Sequence, residues 1–398
     1  MKVLIEYYDK DVLKNIMAPL TLKPDRVVYL YDRGMQDMTV FTSLETCFRA
    51  HMETKLETIP IDNSSIEQIR LSTRRVMQRY AGEDCMLELT GGSELMMIGG
   101  YQAGKEMGAR LLHTDLVRRC IKDVETEEQV AETTTLTLDD FLNAKGACLM
   151  GESHRPPQQE KYDAIRDMAR YLFTHLSEWK STCAYLQSIA ARGLPHELYM
   201  EFRRRVHIKN GRVVTPDKEV MKEFQRLGFI RNLIMDQNWV RFSFCSIEDK
   251  QYCISYGVWL ELYVYIGAMV SGVFDDVKLG TMIDWDVYDG VRMGGNEIDV
   301  VLMDDSLPVF ISCKLRDADT AALNELLIAK KRLGGWFSKG VIVTFSKEKR
   351  NGTGTYQRSK VLGLEMLDAD DILAEDFPMR LVKAIREHDL ESLKWKKV

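Results

Sequence analysis

The stretch NEIDVVLMDDSLPVFISCK, Asn296–Lys314, reads as two strands joined by a tight acidic turn. Glu297–Met303 forms the first strand, Asp304-Asp305 the turn and Val309–Cys313 the second strand. Successive side chains of a strand point to opposite faces. Glu297 and Asp299 therefore share one face, with Ile298 and Val300 on the other. Ser312 and Lys314 share a face of the second strand. Antiparallel pairing across the turn brings Asp299 and Lys314 together at the strand ends.

A carboxylate beside a lysine suits phosphodiester hydrolysis. The carboxylate holds a divalent metal, which polarises a phosphoryl group and lowers the pKa of a bound water. Mg²⁺ and Mn²⁺ take oxygen donors: Asp, Glu and backbone carbonyl. The lysine orients the water or stabilises developing charge, and acts as a base only with a depressed pKa. A surface hairpin carrying an ion pair has the same pattern. Three features weigh against that plainer account. Lys314 ends the apolar run Val309-Phe310-Ile311, where an unpartnered ammonium is costly. Glu261 lies in an apolar helix beside Trp259 and Leu262, and Glu325 lies in the helix after the hairpin.

Outward from the hairpin, Val258–Met269 is a strongly apolar helix and Ile283–Tyr288 is predicted as a strand. Thr320–Leu333 is a helix stopped by Gly334-Gly335, and Gly340–Thr344 is a buried strand. The order is an α-β-β-β-α-β core. The first ~150 residues alternate strand and helix, the pattern of a parallel doubly wound sheet. Its strands are Val3–Glu6, Arg26–Tyr31, Glu53–Ile61, Met86–Leu89 and Arg110–His113. Its helices are Asp9–Leu20, Ser64–Arg79 and the one after Gly91-Gly92-Ser93 that runs to about Met107. Thr133–Leu138 is a candidate edge strand. Gly151–Glu160, with Pro156-Pro157, marks a boundary. Lys161–Arg192 gives one or two helices, Arg205–Val214 a small hairpin turning at Asn210-Gly211, and Pro216–Leu227 a short helix. The division expected is 1–154, 155–245 as a largely helical module of winged-helix flavour, and 246–398.

The chain has 398 residues, with 45% hydrophobic, 29% charged and a formal net charge of −6. That charge excludes a bulk-basic nucleic-acid binder but not a local basic patch. Basic clusters occur at Arg203-Arg204-Arg205, Lys330-Lys331-Arg332, and Lys347, Lys349 and Arg350. Lys330-Lys331-Arg332 is either one wall of a nucleic-acid channel beside the acids or a solvated helix face. Eight cysteines stand without a CxxC, which points to reduced thiols rather than zinc or disulfides. The amino terminus reads as a buried strand rather than a signal peptide, and no run of about 18 apolar residues is present. A cytoplasmic protein with no membrane span is expected.

Thr90-Gly91-Gly92-Ser93-Glu94 follows a strand and opens a helix. Glycines there allow close backbone approach, and first-turn amides bind phosphate. Ser93 as a simple helix cap has nearly equal weight. The loop is neither a GxGxxG nor a P-loop, so a NAD-binding first domain finds no support.

The carboxyl-terminal part resembles the PD-(D/E)xK nucleases of the restriction-endonuclease superfamily. Asp299 takes the aspartate position, Lys314 the lysine position, and Glu261 resembles the acid of the first core helix. The middle acid belongs two residues before the lysine, where this chain has Ser312. Glu297, Glu261 or Glu325 is then the replacement, with Glu325 and Glu261 favoured. The metal set implied is Asp299, the Cys313 backbone carbonyl, Glu261 and Glu325.

Taken over the whole length, the chain resembles the CRISPR-associated Rossmann-fold (CARF) sensor joined through a helical or winged-helix-like linker to a restriction-endonuclease-like α/β nuclease domain. The resemblance rests on Thr90–Glu94, Gly257–Tyr265 and Glu297–Lys314. It implies a homodimer, activated by cyclic tetraadenylate, that cleaves single-stranded DNA, RNA or both with Mn²⁺ or Mg²⁺ in type III CRISPR antiviral defence. Nicking of duplex DNA belongs to some members. It implies ring contacts from Thr90, Gly91, Gly92 and Ser93, and from Tyr8, Asp9, Arg33, Gly34 and Met35. His113 and Thr114 lie on the same strand-end rim. The alternative is a ligand-responsive nucleic-acid-binding regulator with a silent nuclease fold. Whether the sensor degrades its own ring stays open.

Overall fold

The computed structural model describes residues 1–208, 211–290, 296–335 and 337–394. Three bodies follow one another along the chain. The first is a seven-stranded sheet in the order β3-β2-β1-β4-β5-β6-β7. Its strands are β1 (Lys2–Tyr7), β2 (Arg26–Asp32), β3 (Lys55–Ile61), β4 (Asp84–Glu88), β5 (Arg110–Asp115), β6 (Cys120–Asp123) and β7 (Gln129–Glu132). The first five are parallel and the last two antiparallel. Helices α1 (Val12–Leu22), α2 (Thr39–Arg49), α3 (Ile66–Arg79) and α4 (Glu94–Met107) make the crossovers. β1 and β2 are buried on both faces, which is why they read as continuous apolar runs.

The predicted edge strand Thr133–Leu138 is not formed. The edge is Gln129–Glu132, and Thr137 instead caps helix α5 (Leu138–Lys145) in a capping box with Asp140. That side chain–backbone exchange outweighs the β-propensity of the threonines.

After α5 the chain adds strand β8 (Cys148–Glu152) to the edge of a second, six-stranded sheet. The linking segment holds helices α6 (Tyr162–Thr174), α7 (Leu176–Ala190), α8 (Lys218–Arg226) and α9 (Ile247–Cys253). It also holds strands β9 (Tyr199–Arg203), β12 (Ile230–Met235) and β13 (Trp239–Phe244), which form a three-stranded antiparallel sheet. The small ladder β10 (Val206–His207) with β11 (Val213–Val214) matches the expected hairpin, although Asn210 of its turn lies outside the described residues. The module is thus mixed rather than largely helical. Its short strands alternate buried and exposed positions beside charged residues, which dilutes their apolar signal.

The second sheet runs β18-β17-β16-β15-β14-β8. Its remaining strands are β14 (Asp276–Asp284), β15 (Asn296–Asp304), β16 (Leu307–Lys314), β17 (Lys339–Thr344) and β18 (Glu365–Leu367). With α10 (Val258–Ser271) and α11 (Thr320–Ala329) it gives the expected α-β-β-β-α-β order. The strand predicted at Ile283–Tyr288 lies earlier, at Asp276–Asp284. Past Asp284, Asp286 accepts the Tyr288 amide in a turn. The β15–β16 turn is one residue later than predicted. Asp305 and Ser306 take positive φ of 54° and 67°, the two-residue geometry whose twist matches a hairpin.

Residues of the first body hold that turn. Arg119 donates to Asp305 at 2.7 Å, and the Leu136 amide donates to Ser306 Oγ at 2.9 Å. The two bodies also share a core. Val12, Leu13 and Ile16 of α1 and Phe141 and Leu142 of α5 belong to one buried cluster with Val301, Met303 and Phe310 of the second sheet and Leu326 of α11. The opposite face of the second sheet packs on α10 and the linking module, through Trp179, Phe224 and Trp259. No single helix among the described residues is long and apolar enough to cross a membrane. All eight cysteines are free.

Gly91 tests the loop after β4. A Cβ there would run into the Tyr7 carbonyl oxygen, a backbone atom that cannot swing aside. Gly91→Ala is expected to cost about 1–3 kcal/mol, read as a lowered denaturation midpoint in urea. An unchanged midpoint would refute the close packing of this loop on β1.

Candidate functional site

The site forms where a ladder stops. β15 and β16 pair from Asp304↔Leu307 to Val300↔Ile311 and then separate. Beyond that point the Cys313 amide bonds the Asp299 carboxylate at 2.6 Å instead of a strand partner. Lys314 Nζ and Ser312 Oγ each stand 3.4 Å from the same carboxylate oxygen. Glu297, Asp299, Ser312 and Lys314 line one cleft of about 350 Å³. Glu325, Leu326 and Ala329 of α11 form its other wall. Five of the six predicted catalytic residues therefore share this cleft.

Glu261 is not among its lining residues, but it is electrically part of it. Its carboxyl is pushed up to about 8, first by burial and then by the negative charges of Asp299 and Glu297, with Lys314 opposing. One of its oxygens is buried without a hydrogen-bond partner. Asp299 is raised as well, by burial above all, against the stabilising pull of Lys314 and the Cys313 amide. These carboxyls are crowded and desolvated, the state that a bound cation would relieve.

Among the described residues no three of His, Cys, Asp and Glu stand close enough together to hold a metal. The full convergence expected of Asp299, Glu261 and Glu325 is thus not present. Mg²⁺ needs less, since it is commonly held by one or two carboxylates with several waters and substrate oxygens. Asp299 and the orphaned Glu261 oxygen fit that demand. A residue's N–H and C=O point to the same strand edge, so the Cys313 carbonyl faces the Asp299 side with its amide.

A second cavity, of about 840 Å³, lies over the strand ends of the first sheet. Tyr8, Asp9, Gly34, Met35, Gly92 and Ser93 line it, six of the eleven residues that the resemblance proposed for ring contact or the rim beside it. Arg33, Thr90, Gly91, His113 and Thr114 are not on its wall. Thr90 and Thr114 face a different partner. Both amides and both hydroxyls bond the fully buried Glu88 carboxylate, with Thr114 N and Oγ1 each at 3.0 Å. An acid inside the apolar strand Met86–Leu89 was the available signal for that knot. Ser93 does cap α4, accepting the Met96 amide at 3.3 Å. The Gly92 amide is taken by Asp9 at 3.1 Å, and Asp9 also pairs with Lys14 at 3.0 Å.

The cavity has further walls that the sequence reading missed. Lys10, Lys14 and Asp11 come from α1 and the loop before it. Lys145 comes from the end of α5, and Lys331 and Gly335 come from the turn after α11. The cluster Lys330-Lys331-Arg332 therefore does not line the acidic cleft. Lys330 bonds the Gly363 carbonyl at 3.0 Å, and Arg332 lies over the Trp285 ring at 4.8 Å. Of the other clusters, Arg203 lies over Trp239 at 4.3 Å on the linking module. Lys349 pairs with Asp371 at 2.6 Å, and the Arg350 side chain lies outside the described residues.

Comparison with known proteins agrees with this layout. Residues 248–377 match the family model of the Card1-like endonuclease domain. No curated protein sequence matches the chain. The structure of protein VC1899 from Vibrio cholerae aligns at 14% identity over 97% of this chain and 98% of its own, with a TM-score of 0.73. Can2 from Sulfobacillus thermosulfidooxidans, solved with cyclic tetra-adenylate, aligns at 14% identity over 97% and 99%, with a TM-score of 0.67. A type III CRISPR defence DNA nuclease activated by cyclic oligoadenylate aligns at 15% identity over 86% of this chain and 45% of its own, with a TM-score of 0.50. These likenesses show the fold: a Rossmann-like parallel-sheet domain, a linker and an α/β domain of endonuclease type.

The raised Glu261 carboxyl makes stability depend on pH. A carboxyl whose folded pKa, about 8, exceeds the ordinary value of 4.5 contributes stability that is complete below about pH 4.5 and lost as pH rises through 8. Glu261→Gln lacks that loss. Without added metal, its melting temperature is expected to gain on the parent's between pH 5 and pH 9, by the equivalent of a few kcal/mol at about 1.4 kcal/mol per tenfold change in proton affinity. A gap that does not vary with pH would show that Glu261 is not held in this environment.

Proposed function

We propose that this chain is a divalent-metal-dependent endonuclease, switched on by cyclic tetraadenylate in type III CRISPR defence. It works as a homodimer in the cytoplasm and cuts single-stranded DNA, RNA or both. The observation that carries the reading is the Asp299–Lys314 cleft inside the stretch that matches the Card1-like endonuclease domain. The division 1–154 sensor, 155–245 connecting module and 246–398 nuclease is part of this proposal, with β8 crossing to the nuclease sheet just before the first boundary.

In this reading Asp299 and Glu261, with the Cys313 carbonyl, hold Mg²⁺ or Mn²⁺, and Glu325 or Glu297 adds charge from the cleft wall. The metal, when bound, polarises the phosphodiester and acidifies a water. Lys314 lies 3.4 Å from Asp299 and neutralises it while the site is empty of substrate. With phosphate in the cleft, the same ammonium stabilises negative charge on the phosphoryl oxygens. Ser312 holds Asp299 in place and supplies no charge. The cavity over the first sheet is the sensor site, and a two-fold ligand matches a two-fold dimer.

A silent nuclease fold used as a ligand-responsive regulator is the second reading. The serine at position 312 and the lack of a three-acid group among the described residues favour it.

Labelled single-stranded DNA and RNA, incubated with Mn²⁺ or Mg²⁺ with and without cyclic tetraadenylate, separate the two. Ring-dependent cutting is expected, with Asp299→Ala reducing it at least 100-fold while ring affinity holds. Ring binding without cutting under any condition would favour the regulator. Gly92→Leu makes the complementary prediction. Its Cβ would lie 2.7 Å from that of Tyr7, at a φ of +85°. Ring affinity should fall by at least an order of magnitude, measured by titration calorimetry, with the Asp299 cleft intact.

A further inference from the structure

We propose that Lys331, although it belongs to the endonuclease domain, is a ligand-contacting residue of the sensor cavity, and that helix α11 carries the contact to the acidic cleft. The inference rests on the sensor reading above and names how that site is regulated.

Four observations carry it. First, Lys331 lines the 840 Å³ cavity together with Gly92 and Ser93, and it is exposed. Second, the charges of that cavity are uneven in their availability. Lys14 is already paired with Asp9, and Asp9 also occupies the Gly92 amide. A phosphate entering beside Gly92 meets the Asp9 carboxylate, whereas Lys331, like Lys10 and Lys145, brings an ammonium to the same cavity outside that pair. Third, the turn that bears Lys331 is built tightly. Lys330–Gly334 winds as one π-helical turn, a rare geometry that is frequent at functional sites. Ser338 Oγ ties its two ends together, its one proton within reach of both the Lys330 carbonyl at 3.1 Å and the Gly335 carbonyl at 3.0 Å. Gly335, at a φ of +67°, lies against the Asp11 carboxylate at the start of α1, where a Cβ would be 3.0 Å from an oxygen.

Fourth, the same helix lines the other cavity. Glu325, Leu326 and Ala329 of α11 form a wall of the cleft around Asp299 and Lys314. Glu325 and Lys331 are six positions apart, roughly 9 Å along a helix rising 1.5 Å per residue. One short, rigid element thus touches both cavities. A ligand that draws Lys331 inward acts directly on the helix that shapes the cleft, and the interaction differs between ligand-bound and ligand-free states, as coupling requires. Sequence spacing alone left this cluster as either a nucleic-acid channel wall or a solvated helix face. The π-helical turn instead directs Lys331 toward the sensor.

The test compares the parent chain with Lys331→Ala and Lys331→Arg, with melting curves to establish that each folds. Cyclic tetraadenylate affinity, half-activating ring concentration and maximal cleavage rate at saturating ring are measured separately. Lys331→Ala is expected to weaken ring binding about tenfold, the scale of one lost charge-assisted contact. It should also lower the maximal rate at saturating ring, because the pull on α11 is gone. Lys331→Arg should restore most of both. Ring binding and activation by Lys331→Ala equal to the parent's would overturn the inference while leaving the sensor reading intact. Weaker binding with an undiminished maximal rate would keep the contact and overturn the coupling through α11. No ring binding by the parent would remove the sensor reading, and this inference with it.

Discussion

The second sheet covers the face turned toward the first body only in part with its own helix α11, and the rest of the molecule is arranged around that fact. Apolar side chains of α1 and α5 complete the core over Val301, Met303 and Phe310. Each fully buried aliphatic or aromatic side chain contributes about 1.5–3 kcal/mol, so separating the two bodies would expose a surface that neither tolerates. Domains joined by small polar contacts move freely, whereas a large apolar junction makes them move together. Polar anchors at the Asp305-Ser306 turn reinforce the junction at one edge. The two bodies are therefore joined through packed atoms rather than through a loose tether.

The acidic cleft depends on the opposite device, a deliberate interruption of regular structure. Had β15 and β16 paired to their ends, the Cys313 amide would be consumed by the ladder. The strands part after Val300 and Ile311, and the amide instead orients Asp299. Burial then raises Asp299, and Asp299 helps to raise Glu261. Lys314 offsets only part of this. The free-energy cost of holding such groups together is the usual mark of a site shaped for a partner that the ligand-free protein lacks.

Much of this was legible in the sequence, for reasons that differ by element. The hairpin at Asn296–Lys314 could be read because a two-residue period fixes which side chains share a face. The parallel strands of the first sheet could be read because burial on both faces makes them continuous apolar runs. Thr133–Leu138 misled because a capping box is a matter of side-chain geometry, and threonine serves strands and caps alike. The linker strands were missed because half their residues face water. Lys331 was left between a nucleic-acid channel and a solvated helix face, and its place beside the first cavity is set by a π-helical turn that no helical wheel anticipates. Thr90 and Thr114 were placed on the ligand rim by their position in the chain, but the buried Glu88 claims them.

Ser312 connects the electrostatics of the cleft to its departure from the motif. A carboxylate at this position would replace a hydroxyl that stands 3.4 Å from Asp299, beside Glu297 and within the field that already raises Glu261. Like charges at that range in a poorly solvated site repel strongly. A cation can compensate for them only when it is bound. The serine therefore lowers the strain of the metal-free state and would also weaken the hold on a cation. Such a site fills most readily when substrate phosphate supplies the missing oxygens.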